Sequence, residues 1–165
     1  MIDFTTFYQF VFSNSSKPHK EGAGIITYMA RNTRTGAVLE AMVLPALEMG
    51  GYSIERQVRL TDRLGGGRHY GDIMAQKDGC RIIISLKWQQ SSGTAEQKVP
   101  YELMCLADVL SRNEDVHKAY IVIGGDGWTK DSFFLGELND WVNTTEYVDV
   151  VRLDTFVAKA NRGLL

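Results

Sequence analysis

Two short β-rich runs, Tyr70–Gln76 and Cys80–Trp88, are separated only by Lys77-Asp78-Gly79, and this junction constrains the chain more than any other stretch. An Asp-Gly pair favours a two-residue type I′ turn, because both central residues of that turn need positive φ. With Asp78 and Gly79 as the loop, Lys77 faces Cys80 and the register of both strands is fixed. Counting back places Asp72 across from Ser85. Lys87 shares the face of Ser85, because strand side chains alternate with period two. Asp72 and Lys87 are then diagonal neighbours, roughly 7–8 Å apart at Cα. The Ile82-Ile83-Ile84 run between them is unbroken, as in a strand covered on both faces. A carboxylate and an ammonium thus emerge together at the end of a buried strand. That arrangement costs free energy unless something binds there.

The rest of the chain supplies a frame for this hairpin. Residues 3–12 are expected to form a short aromatic-rich helix, and Ser13–Gly24 a loop. The stretch from Thr35 or Gly36 to Met49 has helical periodicity, with Leu39, Val43, Ala46 and Leu47 as its apolar stripe. Glu40 sits at the edge of that stripe, Pro45 is expected to kink the helix, and Gly50-Gly51 ends it. Tyr52–Leu60 alternates as a strand, with Ile54, Val58 and Leu60 assigned to one face, and Gly65-Gly66-Gly67 breaks the chain before the hairpin. Thr94-Ala95-Glu96-Gln97 fits a capping box, and Pro100 is expected to open a helix to about Arg112 with Leu103, Leu106, Ala107 and Leu110 inward. Further on come a buried-type strand at Lys118–Ile123, a turn at Gly124–Gly127 and a helix from Thr129 to Val142. A strand at Tyr147–Leu153 and a last helix capped by Asp154 close the chain. The expected class is α/β (α+β): a mixed sheet flanked by helices, its first three strands antiparallel.

Composition narrows the function classes. A chain of 165 residues is the length of one domain, so 1–165 is read as a single unit, and 44% hydrophobic with 23% charged residues suits a soluble globular protein. No apolar run is long enough to span a bilayer and no leader is recognisable, so the expected location is the cytoplasm, with no membrane partner. Cys80 and Cys105 lie in apolar runs and suggest neither a disulfide framework nor zinc spacing. A net charge of −2 gives no global attraction to nucleic acid. Such binding would rest on a local patch, and Arg56, Arg59, Arg63, Arg68 and His69 supply one against only Glu55 and Asp62.

Gly71-Asp72, twelve residues, then Ser85-Leu86-Lys87 on the next strand resembles the PD-(D/E)XK nuclease superfamily, which includes many restriction endonucleases. The αβββαβ order from Gly36 to Ile123 is similar to the common core of that family. The resemblance implies a Mg²⁺-dependent DNA endonuclease, with Mn²⁺ as a substitute, acting on double-stranded DNA and working as a homodimer. It departs from the family at two positions. Gly71 replaces the Pro, which costs little, and Ser85 replaces the second acid, a poor exchange because serine is a far weaker magnesium ligand. One restriction-endonuclease branch carries a Ser-x-Lys version and draws the missing carboxylate from the following helix. Glu102, fifteen residues beyond Lys87, stands at nearly that spacing, with Glu96 as the competing acid.

The catalytic set implied is therefore Lys87, Asp72 and Glu102, with Asp72, Glu102 and Glu40 as metal ligands. Ser85, Gln89 and Gln90 are accessory, and Arg56, Arg59, Arg63, Arg68 and His69 contact DNA. Two other readings stay open: a structure-selective, homing, phage or repair nuclease of the same fold, and a DNA-binding or assembly module whose site has decayed at Ser85. Metal-dependent cleavage separates the last from the others.

Overall fold

The type I′ geometry expected at Asp78-Gly79 is present: φ is 51° at Asp78 and 82° at Gly79, and Lys77 pairs with Cys80. From this turn the computed structural model, which describes residues 33–138, 142 and 147–165, builds a mixed five-stranded sheet. The aromatic segment at 3–12 and the loop at Ser13–Gly24 lie outside the described residues. In chain order the elements are α1 (Thr33–Met49), β1 (Ser53–Asp62), β2 (Arg68–Lys77), β3 (Cys80–Trp88), α2 (Ala95–Arg112), β4 (Lys118–Gly124), a π-helical turn (Phe133–Glu137), β5 (Val148–Arg152) and α3 (Leu153–Asn161). The strands lie in sequence order. β1 to β3 are antiparallel, and β3, β4 and β5 are parallel. Among the described residues no helix is long and apolar enough to cross a membrane.

Helices cover both faces, which is why β3 and β4 read as continuous apolar runs. Ile82 and Ile84 pack with Tyr120, Val122, Val43 and Leu47 of α1 and Phe156 of α3. Ile83 packs with Ile121, Ile123 and Val99, Leu103 and Leu106 of α2. Ser85 and Lys87 share the face of Ile83, so they look toward α2.

Several boundaries differ from the sequence reading. α2 starts at Ala95 rather than Pro100, which lies inside it, and Thr94 makes no side-chain cap. α1 likewise continues through Pro45. The expected helix at Thr129–Val142 contains a π turn instead, and α3 begins at Leu153, so Asp154 belongs to its first turn and its carboxylate accepts from the Thr155 amide.

The largest difference concerns β1. Ile54 packs on the α1 side, whereas Val58 and Leu60 pack on the α2 side with Met74 and Ile83. Gln57, between them, has φ 53°, a left-handed conformation that side-chain-bearing residues adopt uncommonly. Opposite it, β2 changes face as well. Ile73 and Ala75 belong to the α1 side, yet a Cβ on Gly71 would stand 3.2 Å from Ile83 Cγ2, on the α2 side. The β1–β2 register is the same before and after this level, Arg56 with Ile73 and Val58 with Gly71. Both strands thus exchange faces together at Gln57 and Asp72.

Candidate active site

The exchange happens where β2 and β3 part. Their last ladder pair is Ile73 with Ile84, one residue short of the expected Asp72–Ser85 pair. Beyond it the Asp72 carboxylate takes the place of a backbone acceptor: Leu86 N–H donates to Asp72 Oδ2 at 2.6 Å. Asp72 is thereby held at the mouth of the opening between the strands.

Glu102 enters the opening from α2. It is buried, with a side chain only 5% exposed, and it gathers polar groups from two strands. The Ser85 hydroxyl donates to Glu102 Oε1 at 2.8 Å, and Lys87 Nζ donates to Ser85 Oγ at 2.5 Å. Lys87 Nζ and His69 Nε2 each lie 3.5 Å from the same Oε1, and an Arg63 guanidinium nitrogen lies 3.9 Å from Oε2. Burial is the largest single influence on this carboxyl and pushes its pKa up. The His69 contact, the Lys87 charge and the Ser85 hydrogen bond outweigh burial and hold the pKa at about 2. Glu102 is therefore an anion at neutral pH, deep in the protein. Its place on the second turn of α2 follows from the earlier start of that helix.

The other residues singled out by sequence divide clearly. Glu96, expected to cap α2, instead binds the chain after β4: its carboxylate accepts from the Thr129 amide, the Thr129 hydroxyl at 3.0 Å and the Lys130 amide at 3.3 Å. The Thr129 amide is the main reason its pKa is lowered. Glu40 is ion-paired with Arg56. Gln89 is buried and acts as a structural clasp, its Nε2 donating to Gly127 O at 2.7 Å and its Oε1 accepting from the Ala95 amide at 3.0 Å. Gln90 is exposed.

The arginine patch is also divided. Arg59 pairs with Asp62 at 2.6 Å and stacks 5.8 Å from the Tyr70 ring centre, Arg68 is exposed, and Arg63 leans over Glu102. His69, expected beside the glycine run in reach of phosphate, has no exposed surface and faces Glu102. Period-two counting from Ile73 would have aimed it at α1, and the exchange of faces at Asp72 turns it into the site. Sequence reasoning missed Tyr101, whose hydroxyl donates to Leu64 O at 2.6 Å and so ties the β1–β2 tip, with Arg63, to the helix bearing Glu102. Its place beside Glu102 on α2 was the available signal.

The PD-(D/E)XK nuclease superfamily domain model matches residues 31–164. The chain belongs to the PD-(D/E)XK nuclease superfamily. Members of that superfamily are nucleases in general, and the mixed sheet with flanking helices agrees with their fold. No curated protein matches the chain. Among solved structures it is similar to one described as a protein of unknown function, AF1548, at 16% identity and a TM-score of 0.45, covering 67% of this chain and 54% of that one. The chain thus spans about half the length of that protein.

Proposed function

We propose that this PD-(D/E)XK chain is a metal-dependent DNA endonuclease whose centre is Asp72, Lys87 and Glu102. The observation that supports it most is the convergence on Glu102 Oε1, where Lys87 from β3 and an ionised carboxylate from α2 meet in the opening beside Asp72. Glu102 takes the part of the acid that Ser85 cannot play, and Ser85 becomes the link between Lys87 and Glu102.

Among the described residues no three His, Cys, Asp or Glu side chains cluster as a ready metal cage. The donor chemistry nonetheless fits Mg²⁺. That ion is held through one or two carboxylates, with water and substrate phosphate completing its shell, and Asp72 and Glu102 are hard oxygen donors that bind adjacent residues of β3, Leu86 and Ser85. A bound divalent ion would supply Lewis-acid polarisation of the scissile phosphate. The protein's own groups do the positioning. The Asp72 carboxylate is fixed by the Leu86 amide, Glu102 is held ionised by its cationic and hydroxyl neighbours, and the Lys87 ammonium orients the attacking water and offsets charge on the phosphate. Glu40 stays outside this centre as long as Arg56 engages it.

Arg63 and the exposed Arg68 are the members of the patch best placed for backbone phosphates, and His69 supports Glu102 instead of touching DNA. All of these groups lie in the compact unit Thr33–Leu165. Cutting both strands of a duplex requires two such centres, so a homodimer on double-stranded DNA is part of the proposal. The test is incubation with supercoiled plasmid in Mg²⁺, Mn²⁺ or EDTA. Nicking or linearisation is expected with either ion and none with EDTA. Absence of cleavage with every divalent ion, alongside retained DNA binding, would replace this proposal with that of a binding module.

A further inference from the structure

His69 is enclosed entirely within the protein, and its side chain has an unusual polar environment. Its Nε2 faces Glu102 Oε1 at 3.5 Å, while its buried Nδ1 has no hydrogen-bond partner among the described residues. A buried histidine kept for packing alone would be better replaced by an apolar side chain, because an orphaned ring nitrogen costs free energy. One kept as a structural link would use both nitrogens. Here a single nitrogen is used, and it is directed at the carboxylate on which the site converges. The backbone goes out of its way to achieve this, since His69 reaches Glu102 only because β1 and β2 exchange faces at the left-handed Gln57 and at Asp72.

We propose that His69 is a positioning residue: its Nε2–H donates to Glu102 and fixes the orientation in which that carboxylate presents itself to a divalent cation. The proposal rests on the assignment of Glu102 as a metal ligand. An N–H on Nε2 places a donor against the anion. Ser85 binds the same oxygen from β3, so Oε1 is clamped between two strands and Oε2 is left facing Arg63. Groups that orient a metal ligand in this way typically carry 10–100-fold in metal affinity.

The test measures Mn²⁺ affinity by EPR or calorimetry for the whole chain, for Glu102→Gln, and for His69→Leu and His69→Gln. Leu fills the volume without a donor, and Gln places an amide N–H near the Nε2 position. His69→Leu is expected to weaken Mn²⁺ binding by about 10–100-fold while folding cooperatively, and His69→Gln to recover most of the loss. Equal Mn²⁺ affinity in wild type and His69→Leu would overturn the proposal, as would a loss in His69→Leu that Gln does not repair. If Glu102→Gln binds Mn²⁺ like wild type, the metal-ligand assignment itself falls and takes this inference with it, so the two failures are distinguishable. A second measurement needs no variant: ¹⁵N shifts of the His69 ring in the wild-type protein. A proton on Nε2 supports the proposal, and an Nε2 without a proton overturns it.

Discussion

Two lysine–carboxylate pairs sit at opposite ends of the parallel half of the sheet, and they have different characters. Lys118, the first residue of β4, pairs with Asp149 of β5 at 3.0 Å, and both side chains are 31% exposed. Lys87, near the end of β3, lies 3.5 Å from Glu102 of α2, with exposures of 18% and 5%. The outer pair is closer, yet each of its members still meets water. For Lys118, desolvation pulls the pKa down, and Tyr120 with Asp149 more than restores it, so the net direction is upward. The inner pair shares one oxygen among a lysine, a serine and a histidine, and lies where the strands of an open parallel sheet end and ligands commonly bind. The longer pair is thus the more buried one, and it is met by groups from several elements.

The comparison is broken most directly by removing one charge from each pair. Lys87→Ala and Glu102→Gln are each expected to lower plasmid cleavage by about 10²–10³ with DNA binding retained. Asp149→Asn should leave cleavage unchanged. Glu96→Gln belongs with Asp149→Asn, because its carboxylate is engaged by the Thr129–Lys130 backbone. A Glu96→Gln protein that loses more activity than Glu102→Gln would exchange the two acids.

Acid sensitivity sharpens the same contrast. The Glu102 carboxyl is depressed from 4.5 to about 2 on folding, so its contribution is fully present above 4.5 and is lost as pH falls toward 2. The associated stability is of the order of 3 kcal/mol. Urea unfolding between pH 6 and pH 2 should show this loss in wild type, and Glu102→Gln should show a shallower decline. Equal slopes would mean that the charges around Glu102 do not stabilise its anion.

A smaller effect is expected at the outer pair, where Asp149→Asn should change unfolding free energy by no more than about 1 kcal/mol, as for other partly exposed ion pairs. A larger loss by denaturant titration would show that exposure is a poor guide here. Smallest is Arg68→Ala, which should reduce the slope of log affinity against log salt by about 1 without altering the cleavage rate of bound DNA. An unchanged slope would leave Arg63 as the main phosphate contact of the patch.

Local chemistry made much of this fold legible in the sequence. Asp78-Gly79 set the hairpin, its turn fixed the Lys77–Cys80 pair, and Ile82-Ile83-Ile84 announced a strand with helices on both sides. These depend on neighbours in the chain, and period two carries the argument from the turn as far as Ile73 and Ile84. The same counting failed at Ile54, and carried on to His69 it would have pointed to α1, because it assumes that alternation runs unbroken along a strand. The left-handed backbone at Gln57 breaks that assumption, and no glycine or proline there marks it.

Only tertiary structure separates the surroundings of Glu96 from those of Glu102. Both lie on α2 once that helix is seen to begin at Ala95, and Pro100 gave a misleading start because a proline near a helix end need not be its first residue. What separates the two acids is the company each keeps. Glu96 meets the backbone that follows β4, whereas Glu102 meets Ser85, Lys87 and His69 from two strands. Sequence thus determined the hairpin that carries Asp72 and Lys87. The packing of α2 across the opening between β2 and β3 determined which carboxylate meets Ser85, Lys87 and His69, because the charge state and orientation of a buried acid depend on groups that chain order does not bring together.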